Sequence, residues 1–369
     1  MQLDTSTTKK VRIMQSKELK IFIGPTEIGK IGGTLASAFR DKGVKVTVVR
    51  DNANPFQAGM MYDQTIRSGG LNKLQKGLMR LSLFIKTFFQ YNAFIFLFGQ
   101  TLLPFNLDLP FLKLFRKKTI MWFLGSDIIS YEAVERTIKK TGIKYCQSES
   151  RKESSERIRR KIRMIRKIEK YVDHIIADPT IAHLLKRDYI GKDAESGIHM
   201  PMDIINIRYN DVPNPKPIII HAPSNEGKKG TTYILDAIQR LEKDGYSFDF
   251  RLCKDMPNTQ VREMLSEGDI AVDQLFSVAA GLFAVEAMAA GCAVLGGNIP
   301  ELSGISNLPI IHTDTTNIYD NLKLLIENPD LRQELGRKGR RYAERYHDHT
   351  KIADDILKLL TVDKLGIKS

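Results

Sequence analysis

The stretch 269–301, DIAVDQLFSVAAGLFAVEAMAAGCAVLGGNIPE, limits the fold more than any other part of the chain. Its pattern predicts a strand at 269–272, a turn ending at Gly281, a helix at Leu282–Ala290 and a second strand at 292–295. Glycines stand where the turns and the helix end. Strands that alternate with helices in this way are typical of α/β proteins with parallel sheets.

Glu286 is the only charged residue of the expected helix, which is apolar on every side and is therefore expected to be buried. A lone buried carboxylate costs several kcal/mol unless another group balances its charge or donates hydrogen bonds. Strand ends, glycine turns and a helix N-terminus meet here, as they do where α/β sheets bind nucleotides. We expect a ligand with hydroxyl groups to bind Glu286. The alternative is a partner within the protein, either the backbone or an Arg or Lys.

The same stretch carries a longer motif, G-x4-E-A-M-A-x-G-x-x-V. Seven residues fit it: Gly281, Glu286, Ala287, Met288, Ala289, Gly291 and Val294. With this motif the chain resembles retaining glycosyltransferases of the GT-B fold, in particular the large fourth family. The resemblance implies an α/β protein of two Rossmann-like domains whose parallel sheets face an interdomain cleft. It also implies that Glu286 holds the ribose diol of a donor nucleotide.

The chain departs from that family at three positions. A second family Glu, which contacts the transferred sugar, is replaced by Val278. A family His near the reacting centre is replaced by Leu124, and a family Arg that precedes the phosphate-binding Lys is replaced by Ser224. These departures leave the identity of the donor sugar open.

The resemblance places the phosphates of the donor against the second domain. Lys229 and Gly230 match a Lys-Gly pair that contacts these phosphates in the family. A cation beside a helix N-terminus suits a diphosphate. The alternative is that Lys229 is an exposed lysine in a turn and has no ligand. Four neighbours are assigned to the same phosphate site: Ser224, Asn225, Gly281 and Leu282.

Asp273 and Gln274 follow the strand at 269–272, where side chains of an α/β sheet point into the cleft. We expect them to recognise the base or the sugar, together with Val278 and Glu301. The alternatives are a turn satisfied by its own hydrogen bonds and, for Glu301, a helix cap. No metal is expected, because no D-x-D sequence follows a strand.

The first domain opens with a strand at 20–24, the loop PTEIGKIGG, a helix at 34–43 and a strand at 44–49. The loop lacks the G-x-G-x-x-G pattern, so a nicotinamide site is not favoured. The resemblance implies that Gly32 and Gly33 form a loop that faces the acceptor. A tight turn without a ligand is the alternative.

The strand at 119–124 ends in Gly125-Ser126-Asp127, where the family has H-G-S-D. We assign Ser126 to the acceptor side of the cleft and Asp127 as the candidate catalytic residue. Both are also suitable N-caps for the next helix, which is the commoner use of such residues.

The length of 369 residues, 42% of them hydrophobic, suffices for two domains. We divide the chain into a polar extension (1–18), an acceptor-side domain (19–205), a nucleotide-sugar domain (206–345) and a helix that crosses back to the first domain (346–369). Three distant cysteines, a polar N-terminus and the lack of a long apolar run predict a cytoplasmic protein.

The net charge of +13 predicts an anionic partner. Two basic segments, 71–91 and 151–170, have apolar residues at helical spacing. We expect one face of each helix to pack on the protein. The alternative is adhesion to the anionic inner face of the plasma membrane. Nucleic acid is not favoured, because Tyr171 is the only aromatic residue near the charges of 151–170.

These features predict a retaining glycosyltransferase that moves a sugar from a nucleotide-diphosphate sugar to a glycan or lipid-linked glycan. Surface polysaccharide or glycoconjugate synthesis is the expected setting. Two other functions are left open. One is a non-catalytic GT-B subunit that binds a partner or a membrane, and the other is a nucleotide-sugar epimerase.

Overall fold

The computed structural model describes residues 18–51, 62–66, 69–141, 153–193, 197–299, 305 and 307–361. These residues form two parallel sheets with helices packed on them. The first sheet has the order β3-β2-β1-β4-β5-β6. Its strands are β1 (Lys20–Ile23), β2 (Lys45–Asp51), β3 (Gln64–Ile66), β4 (Ala93–Leu97), β5 (Lys118–Trp122) and β6 (His174–Ile176).

The second sheet has the order β11-β10-β9-β7-β8 and is also parallel throughout. Its strands are β7 (Ile218–His221), β8 (Asp249–Leu252), β9 (Ile270–Val272), β10 (Ala293–Gly296) and β11 (Ile310–His312). The central strands are buried on both faces, which explains their continuous apolar sequences.

Helices of the first half are α1 (Ile31–Asp41), α2 (Lys73–Gln90), α3 (Leu109–Leu114), α4 (Tyr131–Thr141) and α5 (Ser155–Tyr171). Those of the second half are α6 (Glu226–Lys229), α7 (Thr231–Lys243), α8 (Asn258–Leu265), α9 (Leu282–Ala290), α10 (Ile318–Glu327), α11 (Pro329–Tyr346) and α12 (His349–Thr361). Short 3-10 helices lie at Pro104–Asn106 and Ala182–Leu184.

Each sheet separates two apolar cores, because successive side chains of a strand point to opposite faces. On β1, Ile21 and Ile23 belong to the core beneath α1, whereas Phe22 belongs to the core that contains α2 and α5. The helix α9 is buried in the second half, and its apolar residues form much of one core there.

The last described helix, α12, lies on the first sheet's side of the molecule. Its Ile352, Ile356 and Leu360 are buried in the same core as the residues of α1. The chain crosses between the halves twice in close proximity. Met202 donates its backbone N–H to the carbonyl of His347 at 2.7 Å, and His349 donates to the carbonyl of Met202 at 3.1 Å.

Several elements differ from the sequence predictions. The helix expected at 34–43 begins at Ile31, and α8 was not predicted. The basic segments form α2 and α5, with residues 151–152 outside the described part of the chain. Where the structure describes them, none of the helices is long and apolar enough to cross a membrane.

Candidate active site

A cavity of about 340 Å³ lies between the two sheets. On the first side it is lined by Ile28, Ile31 and the segment 122–126 that ends β5. On the second side it is lined by Gln274 and the segment 277–282 that leads into α9. Both sheets present the carboxyl ends of strands to this cavity, which is where α/β proteins bind ligands.

The N-terminus of α9 opens into the cavity, because both Gly281 and Leu282 line it. The first N–H groups of a helix have no partner within it and carry a partial positive charge. No side chain caps this end of α9. The arrangement therefore suits an anionic group.

Glu286 lies one turn farther along α9 and is 7% exposed. Its carboxylate accepts hydrogen bonds from Asn258 Nδ2, at 3.1 and 3.0 Å, and from Arg262 Nε at 3.0 Å. Both donors belong to α8. A protein partner, which the sequence left open as the alternative, is thus present. A carboxylate has about four acceptor positions, so these three bonds leave room for another donor.

The loop before α1, in the first half of the chain, contacts this group, although neither Glu286 nor its partners line the cavity. Lys30 Nζ donates to Asn258 Oδ1 at 2.7 Å. Burial, and after it the charge of Arg262, lower the pKa of Lys30, while Glu286 acts to raise it. Gly29 has a φ of +55° and approaches Leu282 so closely that an added Cβ would lie 1.8 Å from Leu282 Cδ1. The two halves therefore meet at the N-terminus of α9.

Lys229 forms an ion pair with Asp273, with 2.7 Å between Nζ and Oδ1. The side chains are 13% and 3% exposed, so the alternative of an exposed turn lysine is wrong. Lys229 Nζ also lies 5.1 Å from the ring centroid of Phe283, in the first turn of α9. This cation is therefore placed beside the helix N-terminus that faces the cavity.

Other predicted phosphate-site residues have structural roles. Asn225 accepts the backbone N–H of Lys228 at 2.9 Å and caps α6. Ser224 is exposed in the turn before it. Gly230 has a φ of +78°, and a Cβ there would lie 3.2 Å from Leu275, so both conformation and space favour glycine.

The residues assigned to sugar or base recognition are divided. Gln274 and Val278 line the cavity, whereas Asp273 is buried in its pair with Lys229. A Cβ on Gly281 would lie 3.1 Å from Asp273 Oδ2 and 3.2 Å from Gln274 Nε2, so the three residues are close neighbours. Glu301 lies outside the described residues.

The predicted acceptor loop is corrected by the structure. Gly32 and Gly33 lie in the first turn of α1 rather than in a loop. Their N–H groups donate to the carboxylate of Glu27 at 3.0 and 3.1 Å, and this explains why the helix begins at Ile31. Burial raises the pKa of Glu27 to about 7, against the effect of these hydrogen bonds.

Asp127 is buried, and its carboxylate accepts the backbone N–H groups of Leu124 and Gly125. Burial raises its pKa to about 6. The N-cap alternative is wrong, because Ser130 accepts the N–H of Ala133 at the start of α4. Ser126 is exposed and lines the cavity, whereas Asp127 does not line it.

Comparisons with known proteins bear on this arrangement. No protein-family model and no curated protein matches the chain. Sucrose-phosphate synthase from Thermosynechococcus elongatus is 12% identical with a TM-score of 0.62, over 92% of this chain and 97% of its own. An alpha-glucosyltransferase in complex with UDP and a 13-mer DNA is 11% identical with a TM-score of 0.56, over 93% and 99%. MnaA from S. aureus, in a structure with UDP, is 15% identical with a TM-score of 0.53, over 91% and 94%.

These similar structures are GT-B enzymes, and their likeness extends over nearly the whole chain. The chain has the GT-B fold. The resemblance drawn from the sequence is confirmed at this level. Membership of the fourth family stays a prediction, because identities this low establish the fold alone.

Within this GT-B fold, sequence reasoning missed Glu27, Lys30, Asn258 and Arg262. An acid within a glycine-rich loop just before a helix was a usable signal for Glu27. The pattern of Val261 and Leu265 after Pro257 could have indicated α8. No local pattern could have joined Lys30 to Asn258, which is 228 residues away.

Across the described part of the GT-B fold, no group of His, Cys, Asp or Glu side chains is arranged to hold a metal ion. The cavity lining includes one acidic residue, Asp178, and two histidines, His199 and His347. Asp178 Oδ1 accepts the N–H of Thr180 at 2.8 Å. Most other lining residues are apolar.

Proposed function

We propose that the protein is a retaining glycosyltransferase that transfers a sugar from a nucleotide-diphosphate sugar to a glycan or lipid-linked glycan. The observation that carries this proposal is the opening of the α9 N-terminus into the cavity between the two sheets. The match to the motif around Glu286 supports retention of the anomeric configuration. Synthesis of a surface polysaccharide or glycoconjugate on the cytoplasmic side of the membrane is the proposed setting.

The proposed donor lies with its diphosphate at the N–H groups of Gly281 and Leu282. Lys229, which forms an ion pair with Asp273, adds a positive charge beside these N–H groups. Glu286 accepts hydrogen bonds from the ribose hydroxyls, either at its remaining acceptor position or by displacing Asn258. Charge-assisted hydrogen bonds of this kind are the strong ones.

In the proposed transfer, the oxygen of an acceptor hydroxyl bonds to the anomeric carbon. The bond from that carbon to the diphosphate oxygen breaks, and the proton of the hydroxyl leaves with the nucleoside diphosphate. Holding both reactants together in the cavity supplies orientation, and the helix N-terminus stabilises the charge of the leaving group. The proposed scheme uses no divalent metal.

UDP is the nucleotide that we favour in the donor. Two of the similar structures hold UDP, and both have the same fold as this chain. One of them also holds DNA, but we propose no nucleic-acid partner, because Tyr171 is the only aromatic residue near the basic residues of 151–170. These basic segments are proposed to bind an anionic membrane surface, where a lipid-linked acceptor would be found.

A non-catalytic GT-B subunit is the second candidate. It is favoured by the pairing of both Glu286 and Lys229 with protein groups, and by Val278 and Leu124 at two functional positions of the family. Such a subunit would bind its partner or a nucleotide sugar without transferring the sugar. A measurement of sugar transfer therefore distinguishes the glycosyltransferase from the non-catalytic subunit.

The proposal is tested with labelled UDP- and GDP-sugars and a lipid extract as acceptor, in the presence of EDTA. We expect label from one donor to enter an acceptor with its anomeric configuration retained. Binding of a donor without turnover would favour the subunit. Conversion of the sugar without any acceptor would indicate an epimerase.

Leu282→Asp and Leu282→Asn form a matched pair of variants for the phosphate site. Aspartate in the first turn stabilises a helix, but its charge would repel a diphosphate at the same place. We expect the aspartate variant to bind the donor at least about 10-fold more weakly than the asparagine variant, with an equal or higher melting temperature. Equal donor affinities of the two variants would show that the diphosphate does not bind at this position.

A further inference from the structure

The exposed apolar residues of the protein are concentrated on one surface of the first half. Ten of the fourteen exposed large apolar side chains among the described residues lie on α2, on α3 or next to α3. We name them the apolar ridge: Leu74, Leu78, Leu81, Ile85, Phe89, Phe105, Leu107, Phe111, Leu114 and Phe115. A surface with so many neighbouring apolar side chains indicates an interaction site.

The ridge is continuous between its two helices. Phe111 lies 6.4 Å from Phe84, and Phe115 lies 5.1 Å from Phe88, measured between ring centroids. The helix α2 thus has two apolar faces. Its Leu83, Phe84 and Thr87 pack inward, as the sequence predicted, while the stripe from Leu74 to Phe89 stays exposed.

Most charges around the ridge are basic, although Arg80 of α2 is paired with Asp51. Between residues 69 and 125 the only acid is Asp108, which is buried and bonded to Thr101 and the N–H of Leu102. The same stretch has eight basic residues: Lys73, Lys76, Arg80, Lys86, Lys113, Arg116, Lys117 and Lys118. A second copy of the chain would bring like charges together here, whereas an anionic surface would be attracted.

We infer that the apolar ridge inserts into the interfacial layer of an anionic lipid bilayer. Leucine and phenylalanine side chains enter the boundary between headgroups and acyl chains, and the flanking lysines and arginines contact lipid phosphates. This deepens the proposed membrane partnership, because binding depends on apolar insertion and not on basic charge alone. It does not depend on glycosyl transfer.

The position of the ridge relates it to the cavity. The 3-10 helix Pro104–Asn106 follows β4, whose carboxyl end lies at the same edge of the sheet as the β5 end that lines the cavity. Phe105 there is 87% exposed, and Lys167 of α5 donates to its carbonyl at 2.6 Å. Insertion of the ridge would place this edge close to the membrane surface.

The test uses the full chain without nucleotide sugar and vesicles of phosphatidylcholine with or without phosphatidylglycerol. We expect Leu78→Gln, Phe89→Gln and Leu114→Gln together to lower vesicle affinity by about 100-fold or more. The matched control is Ile205→Gln, Val212→Gln and Leu324→Gln, which changes exposed apolar residues elsewhere and should leave affinity unchanged. Equal loss in both triple variants would overturn the inference.

A second measurement reports insertion directly. The chain has one tryptophan, the buried Trp122, so a new tryptophan is readily distinguished. With vesicles, Phe89→Trp should shift its emission to shorter wavelength and be quenched by brominated lipid, and Ile205→Trp should show neither effect.

Binding without quenching would mean adhesion by charge alone. A concentration-dependent dimer that the first triple variant dissolves, without vesicle binding, would assign the ridge to a second copy. Either result contradicts insertion.

The contribution of charge is measured separately. Lys73→Gln, Lys76→Gln and Lys86→Gln should weaken binding to anionic vesicles at low salt and reduce its salt dependence. Lys45→Gln, Lys216→Gln and Lys243→Gln remove the same charge at exposed sites elsewhere. If both sets of substitutions weaken vesicle binding equally, binding responds only to the net charge of the protein. That result would contradict a specific role for the basic residues beside the ridge.

Discussion

At the residue scale, Glu27 shows how a buried acid can organise a helix start. It accepts the N–H groups of Gly32 and Gly33, yet burial raises its pKa to about 7. Arg50 acts to lower this pKa, and burial, followed by the charge of Glu27, raises the pKa of the Tyr62 hydroxyl. The protonated form is therefore favoured in the folded protein over the pH range below 7.

This shift predicts a pH dependence of stability. Because the folded pKa lies above the ordinary value of 4.5, the folded chain binds more protons than the unfolded chain between about pH 4.5 and 7. The contribution of Glu27 is thus fully present below 4.5 and is lost as pH rises through 7. Glu27→Gln should remove up to about 3 kcal/mol of this dependence in urea unfolding.

The exposed Glu242→Gln is the control and should leave the pH profile of the wild type intact. Asp127 also has a raised pKa, but its contribution is common to all three proteins and cancels in the comparison. If the Glu27→Gln profile keeps the full wild-type slope between pH 5 and 8, the burial argument for Glu27 is wrong.

Single residues also show where sequence reasoning reached its limit. The carboxylate of Glu286 was recognised as needing a partner, because a charge stood alone in an apolar helix. Its donors, Asn258 and Arg262, belong to a short polar helix 28 and 24 residues away, and nothing in that segment marks them locally. The sequence therefore showed that Glu286 requires a hydrogen-bond donor or a positive charge. It did not show which residues supply them.

At the element scale, the last residue of α6 is joined to the end of β9 by the pair of Lys229 and Asp273. Removing one member of a buried ion pair leaves the other charge without compensation. Lys229→Met should therefore cost about 3–5 kcal/mol of stability, and adding Asp273→Asn should recover most of it. Urea unfolding of both single variants and the double variant completes the cycle.

The exposed pair of Lys338 and Glu334 is the matched control, since both side chains are 58% exposed. Lys338→Met should change stability by less than about 1 kcal/mol. A Lys229→Met cost as small as this, with no recovery in the double variant, would show that the pair is effectively solvated.

Elements with continuous apolar sequences were predicted well, and amphipathic ones less well. The helix α9 begins and ends where the pattern placed it, and the strands β9 and β10 begin one residue later than predicted. The start of α1 was missed because two glycines read as a loop, while Glu27 supplies the acceptor that allows a helix there. The exposed stripe of α2 was also missed, because an apolar stripe is usually buried.

At the scale of the whole molecule, α12 connects the end of the described chain to the first sheet. Ile356 is fully buried in the core beneath α1. Ile356→Ala should cost about 2–5 kcal/mol, because the surrounding side chains cannot fill the space completely. Thermal unfolding measures this, with the exposed Ile205→Ala as the control. If Ile356→Ala and Ile205→Ala lower the stability by the same small amount, α12 adds little to that core.

The two halves also meet directly beside the cavity, where Gly29 contacts Leu282 and Lys30 contacts Asn258. These contacts link the N-terminus of α9 to the opposite domain. A donor bound at α9 would therefore lie beside the first domain, where the acceptor must approach. The general GT-B arrangement was predictable from motif and alternation, whereas these contacts depend on how the halves pack.

The most direct measurement is calorimetric titration of the wild type, Glu286→Gln and Glu263→Gln with a panel of UDP- and GDP-sugars. Glu263 is an exposed acid on α8 and serves as the matched control. We expect one nucleotide sugar to bind the wild type and the control equally, and Glu286→Gln at least about 10-fold more weakly, with all three proteins folded. No binding by any nucleotide sugar, or equal binding by all three proteins, would contradict a donor site at α9.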